Sequence, residues 1–139
     1  MPVTTVHWVS DKEFVGTDAR DHSIVLSAGD PGKGVSPSQV LLIGLSACTA
    51  YDVLSIMEKK RKPLTSLEVI ATGERNEDPP WAYHHIHLKF VVSGRNLTEK
   101  ALAQAIELSQ EKYCSVAATV RGVADITTEF EITASDEEQ

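Results

Sequence analysis

Two cysteines, Cys48 and Cys114, are the residues of this chain whose type and setting best suit covalent chemistry. Cys48 lies in "LLIGLSACTAYDVL", residues 41–54, a run otherwise almost wholly apolar and small. A thiol there either packs or does chemistry as a thiolate, the form that acts as nucleophile. Free cysteine is also among the most buried residue types, so packing is the plain alternative for Cys48. Its own helix offers no cation beside it, and Asp52, one turn on, opposes a thiolate if close, so a reactive Cys48 requires a cation from elsewhere. Cys114, in "EKYCSVAAT", falls where one helix ends and another begins, and the positive end of a helix favours a thiolate. The two cysteines are 66 residues apart, with no CxxC or metal-type spacing.

Other candidates carry less. His85 and His87 in "YHHIHL" share one strand face with Tyr83 and Lys89, while His84 shares the other with Ile86, Leu88 and Phe90. An i, i+2 histidine pair invites a metal, but no third ligand is suggested nearby, so exposed strand histidines are the reading and no metal is expected. "GDPGKG" has the glycines of a phosphate loop without its GK[ST] ending. "KKRK", Lys59 to Lys62, is the one basic cluster, and a helix C-terminus explains it through the negative end of the dipole.

The elements that must position the cysteines follow from pattern. "VTTVHWV" (3–9), "EFVGT" (13–17) and "HSIVLS" (22–27) read as an antiparallel meander, and "AGDPGKGV" (28–35) as a loop. Ser36 as N-cap, Pro37 at the first helical position and Gln39 as a capping-box partner start a helix that runs to about Lys62, before Pro63. About 26 residues make a rod of roughly 40 Å. Its first half, with Val40, Leu41, Leu42, Ile43, Leu45, Ala47 and Ala50, leaves no polar stripe. A helix apolar all round must be covered on every side, which one small sheet cannot do, so an obligate homodimer is expected.

"LEVIATGER" (67–75) and "YHHIHLKFVVS" (83–93) flank a Pro-Pro turn and read as a hairpin pair. A second helix begins near Thr98 with Leu102, Ala105, Ile106, Ser109 and Tyr113 on one face, and "CSVAATVRG" is a further short helix stopped at Gly122. "ITTEFEI" (126–132) closes the fold as a strand with Ile126, Thr128, Phe130 and Ile132 on one face, and the acidic tail "SDEEQ" is expected to fray. Strands and helices are segregated, which is α+β, and residues 1–139 read as a single domain without repeat or linker.

Composition sets limits on partners. A length of 139 residues suffices for a core without disulfides, and 42% hydrophobic with 24% charged residues is ordinary for a soluble folded protein. A net charge of −7 argues against nucleic acid, since phosphate binding needs clustered Lys and Arg. Ser46, Thr49, Asp52 and Ser55 interrupt the apolar stretch from Val40 to Met57, so a buried helix is preferred to a membrane span. "MPVTTVHWVS" has no basic region followed by an apolar stretch, which points to the cytoplasm, where a Cys48–Cys114 bond would be transient and functional.

Together, "SPSQVLLIGLSACTAYDVLSIMEKKRK", "LEVIATGER" and "AIELSQEKYCSVAATV" resemble the osmotically inducible protein C / organic hydroperoxide resistance family over essentially the whole chain. The "CTAYDVLSIMEKKR" pattern is most similar to its less characterised branch. The resemblance implies an intertwined α+β homodimer, with two long central helices wrapped by antiparallel sheets from both chains. It also implies a thiol-dependent peroxidase in which Cys48 attacks an organic hydroperoxide and Cys114 resolves the sulfenic acid, reset by a dithiol reductant of lipoyl type, with no metal or organic cofactor. An apolar pocket around Leu45 and Ala47 would favour alkyl hydroperoxides. The peroxidase branch holds an active-site arginine with a glutamate just after the helix-opening proline. Here Arg20 in "DARDHS" is a partial match for the arginine, Ser38 stands in the glutamate's place, and Asp21 or Asp52 is left to substitute. The rival function is a non-enzymatic dimer that holds a small apolar, lipid-like ligand in the same pocket, with Cys48 merely lining it.

Overall fold

The computed structural model describes residues 1–135, in two compact units divided between Leu41 and Leu42. Of the tail expected to fray, residues 136–139 lie outside the described residues.

In the first unit, β1 (Thr5–Ser10), β2 (Glu13–Thr17) and β3 (Ser23–Ser27) form the expected antiparallel meander, with Phe14 between Trp8 and Leu26 in register. The loop after β3 is organised by Ser27. Its buried hydroxyl accepts from the Lys33 amide at 2.9 Å and the Gly34 amide at 2.6 Å, and donates to Glu13. Two amides of "GDPGKG", those of Lys33 and Gly34, are thus spent inside the loop. Gly34 is required there, since a Cβ would lie 2.4 Å from the Val25 carbonyl oxygen.

α1 (Pro37–Lys59) starts where proline and Ser36 place it, the Ser36 carbonyl accepting from Gln39 and Val40. The Ser36 hydroxyl pairs with that of Ser38 at 3.2 Å. The helix ends short of Lys62 for a local reason. Arg61 adopts a left-handed φ of 61°, with Lys62 N–H bonded to the Met57 carbonyl and Arg61 N–H to that of Glu58, a Schellman end made without glycine. The basic cluster is tied down by Lys60 to the Gln104 side chain (3.0 Å) and Lys62 to the Asn96 carbonyl (3.1 Å).

From Leu42 onward the second unit contains the rest of α1 and a sheet of β4 (Leu64–Arg75), β5 (Tyr83–Gly94) and β6 (Asp125–Ser135), ordered β4-β5-β6. β4 and β5 pair antiparallel as expected, whereas β6 joins β5 in parallel, so this sheet is mixed. The cause is the crossover. α2 (Glu99–Leu108) and α3 (Ser115–Val120) carry the chain back along the sheet before β6 begins. Thr98 caps α2 by accepting the Ala101 amide at 3.2 Å.

Alternation along β5 buries Ile86, Leu88, Phe90 and Val92, and these join Leu102, Ala105 and Ile106 of α2 in one core. α1 contributes Leu45, Val53 and Met57, which with Thr49 make a buried stripe at four-residue spacing. Its Ile43, Ala47, Tyr51 and Leu54 form a second stripe, exposed in the single chain; Ile43 is 56% and Tyr51 70% exposed. By length and composition α1 could cross a membrane. The first half of α1 is apolar on every side as expected, and its Leu41 and Ile43 are exposed in the single chain.

Tyr113 is exposed, not on the buried face with Ser109 as the helical period predicts. Between α2 and α3, residues Ser109–Tyr113 form a π-helical turn, closed by Cys114 N–H to the Ser109 carbonyl at 2.8 Å. The wider turn shifts everything after Ser109 out of the α-helical phase.

Candidate active site

That π turn delivers Cys114 to α1. Cys114 is the N-cap of α3, with its backbone extended and its sulfur accepting the Ala117 amide at 3.3 Å. It is 2% exposed, and both cysteines are free. Cys48 projects half-buried from α1 between the exposed and the buried stripe, and Asp52 follows it one turn later, also half-buried. The two sulfurs and a carboxylate oxygen of Asp52 all lie within 4.8 Å of one another. Among the described residues this is the one group of three side chains so gathered from His, Cys, Asp and Glu.

Polar side chains that the sequence does not advertise support the group. Thr49, fully buried, donates its hydroxyl to the Cys114 sulfur at 3.5 Å and accepts from the Gln110 amide at 3.0 Å. Ser109, also fully buried, donates to Asp52 Oδ2 at 2.8 Å. Gln110 and Ser109 both belong to the π turn, so the irregular segment is what brings them against their partners on α1. Burial pushes the Cys114 thiol above its ordinary value of 9.0, and the adjacent Cys48 thiol adds to this; Thr49 and the Ala117 amide pull the other way.

The remaining sequence candidates fall elsewhere. Arg20 is exposed on the turn between β2 and β3 in the first unit, where the Asp18 carboxylate accepts the Arg20 and His22 amides at 2.8 and 2.9 Å. Those backbone bonds hold the Asp18 carboxyl below its ordinary range. Asp21 takes a left-handed φ of 64° in the same turn. His85 and His87 share a face as the strand period requires, and both point a ring nitrogen at Thr127 Oγ1, at 2.8 and 2.7 Å. Their other nitrogens meet Glu74 and Glu129, each at 3.1 Å, so this face is a hydrogen-bonded ladder.

Leu45 is fully buried in the core, and Ala47 is exposed in the single chain. An open groove of about 500 Å³ runs along Asp52, lined by Tyr51, Ile56, Leu108 and Tyr113 with Ser55 and Lys59.

Residues 29–129 match the family model described as OsmC-like protein. Over 130 residues the chain is 39% identical to protein YhfA of Escherichia coli K12, covering 94% of this chain and 97% of that one. A hypothetical protein of Aquifex aeolicus VF5 superposes with a TM-score of 0.87 at 30% identity, over 99% and 98% of the two chains. The organic hydroperoxide resistance protein OhrB of Bacillus subtilis superposes at 0.61 with 14% identity, over 96% and 98%. The α+β fold, the paired cysteine segments and these matches agree: the chain belongs to the family of OsmC-like proteins.

Proposed function

We propose that the protein is a thiol-dependent peroxidase that reduces organic hydroperoxides, working in the cytoplasm as a homodimer. The observation that carries this reading is the approach of the Cys48 and Cys114 sulfurs to within 4.8 Å from segments far apart in sequence. The half-buried Cys48 is the accessible nucleophile and the buried Cys114 the resolving thiol. In the first step the Cys48 thiolate attacks the outer peroxide oxygen, the O–O bond breaks, and the departing alkoxide takes a proton to leave as alcohol. Cys48 is then a sulfenic acid. The Cys114 sulfur displaces water from it, forming the disulfide. A dithiol reductant, itself oxidised to a disulfide, returns both thiols. The scheme uses no metal or organic cofactor.

Closing the bond requires the sulfurs to come to about 2.05 Å. Arg20 is proposed as the cation that favours the Cys48 thiolate, with Asp21 or Asp52 in the role of the glutamate that Ser38 replaces. The family match spans residues on both sides of the division between the two compact units, which supports reading residues 1–139 as a single domain. The fold shared with OhrB, whose name records hydroperoxide resistance, supports the reaction class.

The test is a free-thiol titration after one equivalent of cumene hydroperoxide. Fast loss of both thiols with an intrasubunit disulfide, abolished in Cys48→Ser, is the expected result. Two intact thiols would reject the peroxidase. They would leave the second reading, binding of a small apolar ligand, which the groove lined by Tyr51, Ile56, Leu108 and Tyr113 favours.

A further inference from the structure

Asp52 acts on both thiols through its charge as well as its position. A carboxylate within 4.8 Å of both sulfurs opposes negative charge on either, yet the fully buried Ser109 hydroxyl fixes it there at 2.8 Å. The same charge pattern becomes favourable once a divalent cation sits among the three groups. We propose that reduced Cys48, Cys114 and Asp52 form a site for a thiophilic divalent cation, Zn²⁺, which holds the dithiol in a masked state.

The geometry is suited to it. Two thiolates and one carboxylate around tetrahedral zinc stand roughly 3.5 to 3.8 Å apart, given metal distances of about 2.3 Å to sulfur and 2.0 Å to oxygen. The atoms already lie within 4.8 Å of one another, so side-chain adjustments on the order of 1 Å complete the set. Cys48 and Asp52 project from successive turns of α1, with the third ligand arriving from another element, the layout of helix-borne zinc sites. Outer partners are in place: Ala117 N–H and the Thr49 hydroxyl donate to the Cys114 sulfur, Gln110 donates to Thr49, and Ser109 donates to Asp52. Such donors orient metal ligands and disperse thiolate charge. A solvent molecule would supply the fourth ligand. Each thiol surrenders its proton on binding, so one zinc displaces up to two protons and no electron moves.

This proposal does not rest on the peroxidase reading: a chain that binds zinc and ignores hydroperoxide would reject that reading alone. The test uses the full-length, fully reduced, metal-free protein with Zn²⁺ against a chromophoric chelator, and with Co²⁺ as a spectroscopic probe. One equivalent per chain at a Kd of about 1 μM or tighter is expected, with a thiolate-to-cobalt charge-transfer band and protection of both thiols from iodoacetamide. Cys48→Ser should lose the band. Asp52→Asn, whose amide oxygen still accepts from Ser109, should weaken zinc about tenfold or more with unchanged circular dichroism. No stoichiometric binding would overturn the site, as would affinity unchanged in Asp52→Asn. So would zinc that survives Cys48→Ser but is lost in His87→Gln, which would put the metal on the sheet face.

Discussion

The Thr49 hydroxyl spans two elements: it donates to the Cys114 sulfur at 3.5 Å while accepting from Gln110 at 3.0 Å. Thr49 is thereby both a member of the buried stripe of α1 and the link that holds the Cys114 thiol beside Cys48. The bond depends on the π turn, because an α-helical continuation from Ser109 would present a different face at Cys114.

Thr49→Val keeps the volume and removes the link. We expect a loss of about 1 kcal/mol in unfolding free energy, the scale of one buried hydrogen bond, measured by urea denaturation. Disulfide formation after oxidation of Cys48 should slow several-fold in stopped-flow fluorescence. An unchanged closure rate would mean that Cys114 is positioned by its α3 cap alone.

Arg20 tests the activation step. It is exposed on its turn, so Arg20→Met should leave the unfolding free energy within about 0.5 kcal/mol of the parent. If its guanidinium favours the Cys48 thiolate and the developing charge on the peroxide oxygens, kcat/KM for cumene hydroperoxide should fall about 10²-fold. Parent-like turnover would assign that role elsewhere.

The Cys114 thiol ionises above 9.0 in the folded chain, chiefly through burial. As pH rises past that value the unfolded state releases the proton first, so the folded state, which still holds it, loses relative stability until its own thiol ionises. Unfolding free energy of the reduced protein should therefore decline with pH over a window opening near 9.0. Cys114→Ser should lack this decline. Cys48→Ser should keep a smaller one, since the neighbouring thiol is only the second cause. Equal slopes in all three proteins would reject the assignment.

Much of this was legible as sequence because the determinants are local or periodic. Pro37 starts α1, the alternation from Tyr83 marks β5, and the turn residues at 79 and 80 separate it from β4. Thr98 announces α2 for the same reason. What could not be read depends on non-local partners. Arg61 ends α1 in a conformation that favours glycine, and nothing in "KKRK" distinguishes it from its neighbours. The π turn leaves no periodic signal in five residues, so Ser109 reads as one more position on the inner face of α2 and Gln110 as ordinary helix surface. Asp52 was visible as one turn from Cys48, but its pairing with Ser109 needed the fold.

The exposed stripe of α1 gives the last prediction. Ile43, Ala47, Tyr51 and Leu54 recur at helical spacing on the side away from the core, and a lone chain would leave this apolar ridge in water. A second copy of the same helix supplies a self-complementary cover, because a two-fold axis brings like stripes together. Ile43→Asp and Tyr51→Asp would place unpaired carboxylates in that interface, where each costs several kcal/mol. Light scattering should find the parent as a dimer at micromolar concentration and the double variant as a monomer or an aggregate. A parent that is monomeric throughout would mean that the stripe is covered by something other than its own copy, and the groove beside Asp52 would then be the place to seek the occupant.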